Sequence, residues 1–324
     1  MSEETTAPEE STPVSGQQVE RRLVITSPKR HMLLVAILLI GAVAIVAFLL
    51  LGYRTFTLRL DAARRLDQAT TLVQDSDRVV VEIDSVVRAE MEPELGEKAR
   101  DAIQRVDDAD VMLTRAVQLI VQARPDLNDD EREQADLLKA SAVTRQKMLD
   151  PAPEILEANA SAASALPPAT EGWEGVVEAD KVSDRAVTAY NKLTKAGVRD
   201  SQKLNRSVAG ILKDSRENFE SAEDAFPAAP FEQYLKYLGV RIEMNKLSQR
   251  SDAAWLKDNL SGANKIIKEY NRKDERAVEL AKDLPSTPEQ AIAEAYAETT
   301  KQLTDEYYAA REKALEADRL LREH

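Results

Sequence analysis

Two histidines and no cysteine occur in the 324 residues, and the histidines stand at the margins, His31 and His324. Without cysteine there is no thiolate metal site, no thiol nucleophile and no disulfide. Zinc sites, di-iron helix pairs and Ser-His-Asp triads need imidazoles inside a fold, and the interior of this chain offers none. No P-loop, G-x-G-x-x-G or EF-hand loop is present. Carboxylates are what remains. Asp107, Asp108 and Asp110 form one cluster; Asp129, Asp130, Glu131 and Glu133 form another. Such groups can hold a divalent cation or act as an acid/base pair. The same acids also make a solvated helix face and a charged first turn, and that is the reading adopted. No enzyme activity, metal or cofactor is expected.

A basic pattern is more distinctive. Lys192, Lys195, Arg199, Lys203, Arg206 and Lys213 follow one another at helical spacing and form a stripe. Residues 190–273 carry sixteen Lys or Arg against eleven Asp or Glu, within a chain of formal net charge −13. The stripe either is neutralised by acidic helices of the same chain, faces water, or binds an anionic envelope polymer or a partner's acidic surface. The acidic balance of the chain argues against nucleic acid as its general partner.

The elements that carry these residues are organised around Leu33–Tyr53, LLVAILLIGAVAIVAFLLLGY, a stretch without a charge. At about 1.5 Å per residue, such a helix matches the hydrocarbon thickness of a bilayer, about 30 Å. Inside lipid the backbone must satisfy its own hydrogen bonds, so a transmembrane helix is expected. Residues 1–20 are acidic, rich in Thr, Ser and Pro, and nearly free of large apolar side chains, so disorder is expected there. Arg21, Arg22, Lys29 and Arg30 precede the span; Arg54, Arg59, Arg64 and Arg65 follow it. The positive-inside count is a tie. Long domains translocate largely regardless of charge, which favours a cytoplasmic N-terminus and an extracytoplasmic C-terminal domain.

Prolines punctuate the rest: Pro93, Pro125, Pro151 with Pro153, Pro167 with Pro168, Pro227 with Pro230, and Pro285 with Pro288. Leu66, Ala69, Val73, Ser76, Val80, Ile83 and Val87 repeat in alternating steps of three and four, a heptad seam that extends the first helix to about Met91. A second helix is expected over 94–123, with Ala99, Ile103, Val106, Leu113, Val117 and Ile120 on one face. A third starts near Asn128 or Asp129 as cap. A short helix over 152–164 precedes LPPATEG, which reads as a lobe boundary. Beyond it, helices are expected over 172–225, 231–283 and 289–322. Leu256, Leu260, Ala263, Ile267 and Tyr270 form one seam there; Leu303, Tyr307, Ala310, Ala314, Ala317 and Leu321 form another. Gly197, Gly210, Gly239 and Gly262 mark kinks or breaks, since each costs about 1 kcal/mol relative to Ala. RSVAGILKD (206–214) and RSDAAWLKD (250–258) share six of nine residues, a match that Ala/Lys/Leu-rich helices reach by chance. No stretch alternates as a strand does.

The expected architecture is all-α: a single N-terminal transmembrane helix followed by elongated, antiparallel helical-bundle or coiled-coil lobes. Its parts are a disordered tail with a basic juxtamembrane end (1–32), the transmembrane helix (33–53), a first helical lobe (54–165) and a second, longer one (166–324). IIKEYNRKDERAVEL (266–280), behind an N-terminal anchor, resembles the C-terminal helix of the LemA family of membrane-anchored bacterial helical proteins. The first-helix pattern of that family, a Trp near an Asp-Leu-Ile-Pro-Asn run, is missing, so no membership is assigned. The expected function is a scaffold or interaction module at the cell envelope, with the membrane and protein partners or a second copy of the chain as its contacts. The alternative is a ligand-sensing bundle of a membrane receptor, coupled through the first helix and needing a partner for output.

Overall fold

The computed structural model describes the backbone of residues 28–323 and the side-chain surroundings of residues 38–323. The tail over 1–27 and the side chains of His31 and His324 lie outside the described residues. Among the described residues there are eight α-helices, one 3-10 turn (Arg124–Asp126) and no strand. The helices are α1 (Pro28–Val87), α2 (Leu95–Ala123), α3 (Asp129–Leu149), α4 (Ala152–Tyr190), α5 (Lys195–Ala225), α6 (Phe231–Leu256), α7 (Leu260–Lys282) and α8 (Pro288–Glu323). The chain divides into two units, residues 1–58 and residues 59–324.

In the first unit, α1 is the one helix among the described residues long and apolar enough to cross a membrane. Its apolar side chains over residues 38–53 are exposed: Leu38, Ile40, Phe48, Leu50 and Tyr53 are all well over half exposed. Removing one such side chain from water is worth about 1.5–3 kcal/mol, so the exposed stretch is compatible with a membrane anchor.

The second unit holds two apolar cores. The first is built by α1 from Ala62, by α2, α3 and the start of α4 up to Ala160, and by Tyr307 of α8. All seven seam residues of α1, Leu66 through Val87, are buried in or beside it. On α2 the expected face is completed by Ala102, Ala109 and Ala116, small residues that let neighbouring helices approach. Asn128 caps α3: its side chain accepts from the Glu131 backbone N–H at 2.9 Å, while Glu131 accepts from the Asn128 N–H at 3.0 Å. That reciprocal pair satisfies two amides that the first turn would leave open. The second core starts at Ala162 on α4 and takes in α5, α6, Ala277 of α7, and Ala291 and Ile292 of α8. Phe219, Phe231 and Tyr234 fill its middle, with Phe219 stacked on Tyr234 at 4.9 Å between ring centroids.

Several expected boundaries are corrected. LPPATEG is not a linker: α4 runs through it with Pro167 and Pro168 in its interior. The missing N–H groups free the carbonyls of Ala163 and Ser164, a local cost of about 3 kcal/mol per proline. Ala162, Ala163, Ala165, Leu166 and Ala169 are all buried around the pair, so packing outweighs the local preference. The apolar core changes hands between Ala160 and Ala162, close to the expected lobe boundary, but within one helix. Conversely, the helix expected over 172–225 breaks after Tyr190, and the one over 231–283 breaks after Leu256. Both breaks use a non-glycine residue in the left-handed region, Leu193 at φ 51° and Asp258 at φ 58°. Each is followed by a capping side chain. Thr194 accepts from the Gly197 N–H at 3.0 Å, and Asn259 from the Gly262 N–H at 2.9 Å. Gly197 is required there, because a Cβ would sit 2.5 Å from the Ala189 carbonyl. Gly210 and Gly239 interrupt nothing. Of the seam expected across the second break, Ala263 is buried but Leu260 is 55% exposed. The last seam holds, with Tyr307, Ala314 and Ala317 buried.

Candidate functional site

The acidic clusters lie on the surface. Asp107, Asp108, Asp110, Asp129, Asp130 and Glu133 are exposed, and Glu131 is occupied by its capping role. No group of three or more metal-ligating side chains occurs among the described residues.

The basic residues are all exposed, but they are not one stripe. Lys192 lies in the break between α4 and α5, off the helix that carries the others. Lys195 is paired with Asp258 at 3.0 Å across the two breaks, and Lys213 with Glu217 at 2.8 Å. Arg199, Lys203 and Arg206 have no carboxylate partner among the described residues. Their spacing of four and three puts them on one side of α5.

A second site was not apparent from the sequence. The ends of α4, α5 and α6 nearest the two breaks, with α7, line a half-open pocket of about 210 Å³. Its apolar wall is Ala186, Val187, Leu247 and Ile267. Its polar wall centres on Asp252 of α6, which is only 1% exposed. One Asp252 oxygen accepts from the Asn205 amide at 2.9 Å, and the Ser201 hydroxyl lies 3.1 and 3.2 Å from the two oxygens. Ser201 and Asn205 sit on consecutive inward turns of α5 and are themselves buried. Gln249 steadies the pair, donating to the Asn205 carbonyl at 3.2 Å and to the Asn245 side chain at 2.8 Å.

Burial pushes the Asp252 carboxyl above its ordinary value, and the Asn205 and Ser201 donors pull it part of the way back. Two neutral donors do not replace the hydration of a full charge. No Lys or Arg nitrogen approaches Asp252 within ion-pair distance among the described residues. Beside it, the Ser251 hydroxyl is buried and has no hydrogen-bond partner. Tyr270 lines the same cavity, its phenol pushed up chiefly by burial and further by Asp274, so it stays neutral in the physiological range. Comparison with protein-family models, characterised proteins and solved structures finds no match.

Proposed function

We propose that this chain is a single-pass membrane protein whose second unit serves as an interaction module at the cell envelope, binding rather than catalysing. The reading takes α1 as the anchor, with the N-terminus cytoplasmic and residues 59–324 outside. It takes the neighbouring helices as antiparallel; the pairings of Ser201 with Asp252 and of Asn205 with Gln249 are what supports this. The observation that carries the function is the cationic face of α5. Arg199, Lys203 and Arg206 stand exposed and without acidic partners among the described residues, in a chain of net charge −13. A face of this kind suits an anionic polymer or the acidic surface of a partner. Polyglutamate and polyphosphate are suitable probes for the full-length protein in detergent. Binding is expected, and it should weaken steeply with salt, since charges are screened beyond about 10 Å at 0.1 M. Reversing Arg199, Lys203 and Arg206 to Glu should abolish it and leave the melting temperature unchanged, because exposed charges contribute little to stability. Retained binding in the triple variant would remove this face from consideration.

A second reading, a ligand-sensing bundle that needs a partner for output, is favoured by a different observation, the cavity at Asp252.

A further inference from the structure

A buried carboxylate that keeps its charge needs a metal or a cation. Asp252 is closed off from water, accepts only from neutral groups, and opens onto a cavity rather than onto packed side chains. A metal is poorly served, since a hard cation asks for about six oxygen ligands and Asp252 is the only carboxylate on the cavity wall. An anion would be repelled. A neutral guest would deepen the desolvation of the charge without answering it. An organic cation answers it and also uses the remaining walls. Its frame lies against Val187, Leu247 and Ile267. The unpartnered Ser251 hydroxyl accepts one of its N–H groups, and the rings of Tyr190 and Tyr270 attract a desolvated ammonium. At about 30 Å³ per water, the space equals roughly seven water molecules, room for a small amine.

We propose that the cavity between α4, α5, α6 and α7 binds a small organic cation, a primary ammonium or amidinium on a short frame, with Asp252 as its counter-ion. This rests on the ligand-sensing reading and names the ligand class. It is independent of the cationic face of α5, which points to solvent.

The test uses the full-length protein in detergent, with benzylamine, 1,4-diaminobutane and benzamidine as probes and benzyl alcohol as the neutral counterpart of benzylamine. At least one cation should raise the melting temperature by several degrees and give a saturable titration, whereas benzyl alcohol should do neither. Asp252→Asn keeps the shape and an acceptor oxygen for Asn205 but removes the charge. It should weaken binding roughly thirtyfold or more, the low end for losing one member of a buried charge pair. Val187→Trp fills the cavity from its exposed rim and should abolish binding with helicity intact, which keeps the test decisive if the Asp252 variant folds poorly. The triple reversal on α5 should leave the amine titration unchanged. Benzyl alcohol binding as well as benzylamine would overturn the cation while leaving a ligand cavity. Absence of binding by every probe would overturn both, and undiminished binding in Asp252→Asn would overturn Asp252 as the counter-ion.

Discussion

Asp84 and Asp252 are buried aspartates in the two cores of one unit, 8% and 1% exposed, and their surroundings differ in kind. Asp84 lies on α1 and accepts from the Tyr307 hydroxyl at 3.0 Å, from Arg311 at 2.8 Å and from Arg88 at 2.9 Å. It ties α8 to α1 and is met by two guanidinium groups. A similar knot joins α3 to α8 nearby, where Arg145 holds Asp318 at 2.7 and 3.0 Å. Asp252 accepts only from a hydroxyl and an amide, and a cavity adjoins it. The first core uses its buried carboxylate as a clamp with its charge balanced. The second joins α5 to α6 through its carboxylate but leaves the charge unbalanced by any basic side chain among the described residues. Depth of burial alone does not separate a clamp from a binding group; the charge of the partners does.

The same substitution should therefore act with opposite sign in the two places. Asp84→Asn leaves Arg88 and Arg311 without their anion beside a buried tyrosine. It should destabilise the protein by about 2 kcal/mol, within the range for hydrogen bonds to charged groups. Chemical denaturation of the full-length protein would measure it. A neutral result would mean that Asp84 is no clamp and would erase the contrast.

Asp252→Asn removes a charge that nothing balances. At pH 7 it should stabilise the unliganded protein by on the order of 1 kcal/mol. The pH dependence follows from the raised carboxyl. The folded protein takes up the proton at a higher pH than the unfolded chain does, so the cost exists only while Asp252 is charged. As the pH falls through the raised value towards 3.8, the parent should gain on the variant until the two melt together. Melting curves of both proteins from pH 7 to pH 4 would show the convergence. A constant gap, or a variant less stable at pH 7, would mean that Ser201 and Asn205 hold the charge well enough by themselves.

How much of this was legible in the sequence depended on period. The α1 seam and the last seam could be read because one residue type, apolar, recurred in steps of three and four over several turns. The break near Gly197 was signalled by that glycine, but its place at Leu193 could not be read, because a leucine with positive φ carries no glycine or proline signal. The better signal was the pairing of a capping residue with a glycine three positions on, Thr194 with Gly197 and Asn259 with Gly262. The continuity of α4 through Pro167 and Pro168 is a tertiary effect, imposed by the alanines packed around them. The cavity had a partial signature. Val198, Ser201, Asn205, Val208 and Leu212 keep the core spacing of α5, yet two of them are polar, and Ser251 and Asp252 do the same on α6. Polar residues at core positions were the clue. That they meet around one space depends on how four helices pack, and no local pattern encodes that.

The smallest effect comes from a residue in the second core's own helix that touches neither its aromatic centre nor its cavity. Gly210 is exposed in the interior of α5, and a Cβ there would meet nothing within 4 Å. Gly210→Ala should stabilise the protein by about 0.5–1 kcal/mol, through helix propensity and a less flexible unfolded chain. It adds no charge and removes no partner of Asp252, so amine affinity should not change. That separates two causes of a higher melting temperature. In Gly210→Ala the gain should be the same at pH 7 and pH 4, and the shift on adding an amine should be as large as in the parent. In Asp252→Asn the gain should fade with acid and the amine shift should vanish. If Gly210→Ala also lost its gain in acid, the pH dependence would belong to α5 as a whole, and Asp252 would not be the group that distinguishes the second core from the first.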